Sequence, residues 1–272
     1  MALTEIQKGV VRCLAANRSE SSYLAGGVVL NKDWPRLSDD LDIFHDTDEE
    51  IGDAADRDIG TLRAAGYRVH IDVAIYGCVE ATVLQGDEGT IIQWMSESRT
   101  RFFPLVRDAE WGARLHMADL AVNKVIAASS RTKPRDFVDL ATIAENMCPL
   151  GPLVMAASGK PPHFSPQRIV DEIRRRGLSI PTEQYETVRG LRSDWSAKII
   201  RERLVAALDA AEAYILAAPL EIIGTLATNA LGLPVEVSAA ATADVVLRRA
   251  TAEPEVMPTV ADSQEPWGKV PD

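Results

Sequence analysis

The chain has 272 residues, is 46% hydrophobic and 25% charged, and carries a formal net charge of −11. This is the composition of an ordinary globular protein, which excludes collagen, coiled coil and wholesale disorder. Three cysteines, Cys13, Cys78 and Cys148, are odd in number and form no Cys-x-x-Cys pair, so neither a disulfide framework nor a zinc ribbon is indicated and a reducing cytoplasm is expected. The most apolar stretch, 204–220, is broken by Asp209, Glu212 and Pro219, so no membrane partner is expected and the protein should be soluble. Charge is uneven: residues 1–98 sum to −10, 99–140 to +3, 141–209 to +2 and 210–272 to −6. Broad binding to duplex nucleic acid is therefore disfavoured, and only a local basic region in the middle third is left for a polyanion.

In chain order, Leu3, Ile6, Val10 and Leu14 recur at helical spacing and predict a helix over 3–16. Residues 23–30 turn on Gly26-Gly27, and Leu41, Ile43 and Phe44 flank acids in a short strand. Thr47 and Glu50 have the spacing of a capping box opening a helix to Ala65, closed by Gly66. Residues 67–75 alternate apolar and polar side chains, which predicts a half-buried strand, and strands at 79–85 and 90–95 are expected about the turn Gly86-Asp87-Glu88-Gly89. Helices are predicted at 118–129 and 136–145, with a subdomain junction at Pro149-Leu150-Gly151-Pro152. Beyond it, Ser165-Pro166 opens a helix ending at Gly177, and Asp194 is expected to cap a long helix to Ala218. The expected domains are 1–150, a helical domain at 151–235, and a flexible tail at 236–272 that is rich in proline and poor in large apolar side chains.

The chemistry is concentrated in Leu24-Ala25-Gly26-Gly27-Val28-Val29-Leu30 and in Arg36-Leu37-Ser38-Asp39-Asp40-Leu41-Asp42-Ile43-Phe44. On a strand, Asp40 and Asp42 share a face at about 6.6 to 6.8 Å. At an effective dielectric of 20 their charges repel by roughly 2.5 kcal/mol, a cost that a hard divalent cation between them reverses. The candidate ligands are all oxygens and no histidine pair lies nearby, which favours magnesium over zinc. Gly26-Gly27 offers backbone that a phosphate could approach closely.

This order of glycine turn and Asp-x-Asp strand resembles the polymerase-beta-like nucleotidyltransferase superfamily, in which the two elements hold a nucleoside triphosphate and Mg²⁺. A second segment, Asp119-Leu120-Ala121-Val122-Asn123-Lys124 followed by Arg131-Thr132-Lys133-Pro134-Arg135-Asp136, narrows the resemblance to the AbiEii family, the toxin half of type IV toxin–antitoxin systems. The resemblance spans about 20–145. It implies an α/β fold, a mixed sheet flanked by helices with a C-terminal helical domain, and transfer of a nucleoside monophosphate from an NTP to a tRNA 3′ end or a protein hydroxyl. It further implies Asp40 and Asp42 as metal ligands, Gly26, Gly27 and Ser38 beside the nucleotide, Lys124, Arg131 and Arg135 on phosphates, Asp136 as a metal or positioning group, and a cognate antitoxin. Physically, Lys124 is a compact charge and the arginines are bidentate forks for phosphate oxygens.

The superfamily commonly adds a third carboxylate on a later strand. Here Asp72 is expected on the polar side of its strand, Gln93 stands where an acid would be convenient but is an amide, and Glu97 follows Trp94 just past the strand end. Glu97 is the preferred third metal ligand. Ser96 to Pro104, with Arg99, Arg101, Phe102 and Phe103, resembles the family's Arg-Phe-Phe-Pro segment and could line the site, with structural support the safer reading of its aromatics. His45, His70, His116 and His163 show no metal spacing. Arg174-Arg175-Arg176 could meet RNA phosphates, although a solvated helix end explains it as well. Two alternatives stay open: a small-molecule transferase of the aminoglycoside-modifying type, compatible with the acidic first 98 residues, and a non-catalytic nucleotide-binding protein of the same fold.

Overall fold

The computed structural model describes residues 3–238 and 245–257. The chain divides into two compact units, Met1–Arg99 with Pro104–His116, and Thr100–Phe103 with Met117–Asp272. The division at His116/Met117 replaces the boundary expected near residue 150. Pro149 and Pro152 do not break the chain there: Pro149 is the N-cap of a fully buried helix, Leu150–Ala157, and Pro152 sits in its first turn, where a missing N–H leaves no bond unmade.

The first unit is α/β. Its elements are α1 (Glu5–Leu14), β1 (Ser22–Ala25), α2 (Gly26–Leu30), β2 (Asp40–His45), α3 (Ile51–Ala64), β3 (Arg68–Ile75), β4 (Cys78–Gln85), β5 (Glu88–Ser96), β6 (Val106–Asp108) and β7 (Gly112–Arg114). The strands form one mixed sheet in the order β3-β4-β5-β2-β1-β7-β6, parallel at β2/β5 and β1/β7 and antiparallel elsewhere. Alternation along β2, β4 and β5 turns Leu41, Ile43, Val79, Ala81, Val83, Ile92 and Trp94 to one buried face, where α1 and α3 pack against the sheet. Beneath it the buried Asp58 carboxylate accepts from Arg18 Nη2 at 2.6 Å and from Trp94 Nε1 at 2.8 Å. The capping box of α1 forms as its sequence requires, Thr4 with Gln7.

Two expectations fail here. Strand β3 is not half-buried: it lies at the sheet edge, and Ile71, Val73 and Ile75 are 42%, 37% and 66% exposed. Its alternation reads as a core face, but an edge strand is covered only where something packs on it. Thr47 does not cap α3, whose N-cap is Glu50 with no side-chain cap bond.

The second unit is mostly helical: α4 (Met117–Ser130), α5 (Pro134–Asn146), α6 (Leu150–Ala157), α7 (Pro166–Ser179), α8 (Thr182–Glu186) and α9 (Ala197–Ala217), followed by the antiparallel pair β8 (Thr225–Thr228) and β9 (Val246–Arg249). Ser165 caps α7 as expected, but the helix runs through Gly177, whose missing side chain makes room for Leu204 and Phe137. The cap of α9 is Ser196, accepting from Ile199 N at 3.3 Å, while Asp194 is engaged by Arg192. The expected tail is ordered over 245–257, where β9 pairs with β8 and Thr251 with Arg101. Backbone pairing holds this strand although its side chains are mostly exposed, so apolar content gives no sign of it. Residues 239–244 and 258–272, also placed in that tail, lie outside the described residues. Among the described residues no helix is long and apolar enough to cross a membrane.

Candidate active site

In the first unit the register does most of the positioning. Strand β1 pairs with β2 so that Ala25 stands opposite Asp42, and the chain then turns at once into Gly26, whose φ of +70 favours glycine. A methyl added at Gly26 would lie 2.7 Å from Asp42 Cγ and overlap the carboxylate. At Gly27 it would lie 3.0 Å from Ser38 Oγ and overlap the Arg36 guanidinium. The space beside both glycines is therefore filled by this chain's own side chains, and the glycines are required by the packing of Asp42, Arg36 and Ser38 and not by an open backbone surface.

Asp40 and Asp42 alternate with buried Leu41 and Ile43 and so share the face of β2 opposite α1 and α3. Asp40 is buried and accepts a hydrogen bond from Ser38 Oγ at 3.3 Å. The loop before it is fixed by the buried Gln7 amide of α1, which donates to Ser38 O at 3.0 Å and Thr90 Oγ1 at 3.2 Å. Gly26, Gly27, Ser38, Asp40 and Asp42 are thus one local group. Two hard oxygen-bearing side chains on one strand face suit Mg²⁺ in donor chemistry.

Glu97 does not join them. Its backbone N–H donates to His45 O at 3.0 Å, which puts it at the far end of β2, three residues or about 10 Å along the strand from Asp42. Among the described residues no group of three or more His, Cys, Asp or Glu converges to hold a metal ion. The residue beside Asp42 on the neighbouring strand is Gln93.

In the second unit, Lys124 on α4 and Asp136 on α5, each expected to face a nucleotide, meet one another in an ion-pair cluster. Lys124 Nζ lies 3.0 Å from Asp136 Oδ1 and 2.8 Å from Asp139 Oδ2, and both carboxylates are wholly buried. Arg131 closes on Asp136 with Nε at 2.7 Å from Oδ2 and Nη2 at 3.1 Å from Oδ1. Burial alone would raise the Asp136 pKa, but the Lys124 charge and the Arg131 hydrogen bond outweigh it and hold the carboxyl far below its usual range. Both Asp136 oxygens are engaged by cationic side chains in this arrangement. Arg135 begins the same helix, half-buried. Sequence reasoning missed Asp139, although its spacing of three from Asp136 on a helix puts both on one face.

Asp119, one turn earlier on α4, is buried and accepts from the backbone N–H groups of Phe102 and Phe103 at 2.9 and 3.1 Å. Burial raises its pKa. The two rings are buried, in keeping with a supporting role. Arg174 is bound to Asp209 and Glu212, and Arg175 and Arg176 to Glu172, so this run is a set of intramolecular ion pairs. His45 is buried, and burial followed by the Arg18 charge pushes its pKa down to about 4.

No protein-family model matches the sequence, and no curated protein matches it. By structure the chain is similar to MenT4, a nucleotidyltransferase toxin of Mycobacterium tuberculosis, with 16% identity and a TM-score of 0.51 over 75% of this chain and 82% of that one. What the two share is the fold. The seven-stranded mixed sheet flanked by helices is the fold class expected from the resemblance. Similarity extends to an H. pylori protein assigned to the nucleotidyltransferases, with 16% identity and a TM-score of 0.45 over 78% of this chain and 98% of that one.

Proposed function

We propose that the chain is a Mg²⁺-dependent nucleotidyltransferase of the AbiEii toxin type, transferring a nucleoside monophosphate from an NTP to an acceptor hydroxyl. The observation that carries this reading is the seating of Asp42 directly on Gly26, with Asp40 on the same strand face. A glycine turn built against one member of a carboxylate pair fixes that pair in place, as a catalytic pair requires and a solvated acidic loop does not. Bound Mg²⁺ would supply charge neutralisation and alignment for in-line attack at the α-phosphorus with pyrophosphate leaving. Asp40 and Asp42 would hold that cation and Ser38 would steady Asp40; within the second unit, Arg131, oriented by Asp136, is a candidate contact for a phosphate.

The acceptor is a tRNA 3′ end or a protein hydroxyl, and a toxin of this type has a cognate antitoxin. The acidity of the first 98 residues also favours a cationic small-molecule acceptor as a second reading. The test is incubation of the protein with Mg²⁺ and each α-labelled triphosphate in turn, with total RNA, lysate protein or an aminoglycoside mixture. Label in RNA or protein supports the toxin reading, label in the small molecule supports the second, and no transfer from any triphosphate refutes both.

A further inference from the structure

Three neighbouring strands carry one row of polar residues on the sheet face opposite α1 and α3. In the parallel β2/β5 pair Asp42 stands opposite Gln93, and in the antiparallel β5/β4 pair Gln93 stands opposite Glu80. Side chains in register across adjacent strands share a face, so the row reads Asp42, Gln93, Glu80. Gln93 Nε2 donates to Glu80 Oε2. An ionised carboxylate only accepts, so the amide must turn its NH₂ toward Glu80. Its carbonyl oxygen then takes the other terminal position of the amide, and β2 with Asp42 is the strand that flanks β5 on the side away from Glu80.

We propose that Gln93, oriented by Glu80, presents its amide oxygen as the third protein ligand of the cation held by Asp40 and Asp42. The proposal rests on the metal-dependent reading above. An amide carbonyl is a hard oxygen donor of the kind that divalent cations accept beside carboxylates. It also suits its neighbours. A glutamate at 93 would face like charges on both sides, Asp42 and Glu80, an arrangement that destabilises adjacent strands. The amide donates to one acid and keeps its oxygen for the cation beside the other. Glu80 is on this account a positioning residue, of the class whose loss lowers metal affinity by about 10 to 100-fold without touching the ion.

The test is Mn²⁺ titration of the full chain, reading free Mn²⁺ by electron paramagnetic resonance, with thermal melts to confirm folding. Gln93→Leu should weaken Mn²⁺ binding by about tenfold or more, and Glu80→Ala by a similar factor. The exchange Glu80→Gln with Gln93→Glu keeps the cross-strand hydrogen bond and the total charge but moves the carboxylate one strand closer to Asp42. It should bind Mn²⁺ at least about tenfold more tightly than wild type, which a merely structural pair would not do. If Asp40→Asn abolishes Mn²⁺ binding while the folded Gln93 variants and the exchange bind as wild type does, the amide ligand is refuted and the metal site stands. If the wild type binds no Mn²⁺, or Asp40→Asn leaves binding intact, the metal reading falls and takes this proposal with it.

Discussion

Gly26→Ala tests the site through its most constrained atom. The new methyl would lie 2.7 Å from Asp42 Cγ and 3.0 Å from its Cβ, so the carboxylate must retreat by about 1 Å or more, a displacement that costs roughly 100-fold in a reaction dependent on aligned groups. The backbone cost is small. Alanine at φ +70 costs about 1 to 2 kcal/mol, partly offset by the roughly 0.4 to 1 kcal/mol gained from restricting the unfolded chain. A net loss of about 1 kcal/mol lowers the melting temperature by only about 2 to 4 °C. The control is Gly60→Ala, on the exposed side of α3 with nothing within 4 Å of the added methyl, which should gain up to about 1 kcal/mol and leave transfer unchanged. Transfer of label from α-labelled triphosphate is followed for wild type and both variants beside their melts. A Gly26→Ala protein that melts near wild type and transfers label within about threefold of it would refute the claim that the seating of Asp42 on the glycine turn is what the chemistry needs.

Asp40→Asn and Asp42→Asn should each abolish transfer while leaving the far-UV circular dichroism unchanged, because an amide keeps the volume and removes the charge; measurable turnover in either removes the main claim. Lys124→Ala removes the cation shared by two buried carboxylates and should cost about 3 to 5 kcal/mol of stability, whereas Arg131, with its side chain 46% exposed, should cost under about 1 kcal/mol on replacement by alanine yet weaken a non-hydrolysable triphosphate analogue by about tenfold. Equal melting losses in the two variants, or unchanged analogue affinity in Arg131→Ala, would contradict this division of labour. His45 stays neutral in the fold down to pH about 4 while the unfolded ring takes a proton below about 6.5, so its contribution is complete above pH 6.5 and is lost as pH falls toward 4. Urea melts should show that His45→Gln loses about 3 kcal/mol less than wild type over that window; parallel losses would show that His45 is not the titrating group.

The placement of the candidate residues was legible where local periodicity decides it. Alternation along β2 is enough to put Asp40 and Asp42 on one face, and helical spacing is enough to separate α4 from α5 with Lys124 and Asp136 on them. What the sequence hides is register. The choice of Glu97 came from its position just beyond a strand, but parallel pairing of β2 with β5 matches Asp42 to Gln93 and carries Glu97 past His45. Edge status is hidden in the same way: β3 has the pattern of a covered strand and lies at the border of the sheet. The strand at 246–249 escapes for the opposite reason, since it is held by backbone pairing that leaves no mark in side-chain polarity.

The cluster on α4 and α5 sets orientation more than it adds stability. Two cations, Lys124 and Arg131, meet two carboxylates, Asp136 and Asp139, so the group is balanced in charge and largely out of water. Desolvation offsets much of the attraction in such a group, and well-packed apolar side chains would hold two helices together at least as well. A helix pair that needed only cohesion would gain nothing from this arrangement. What it does supply is orientation. Lys124, itself buried, fixes Asp136, and Asp136 grips Nε and Nη2 of Arg131, which sets the plane of a guanidinium that remains half in solvent. A guanidinium gripped along one edge by a carboxylate that is itself held in place keeps a set plane and direction, which a flexible ammonium does not.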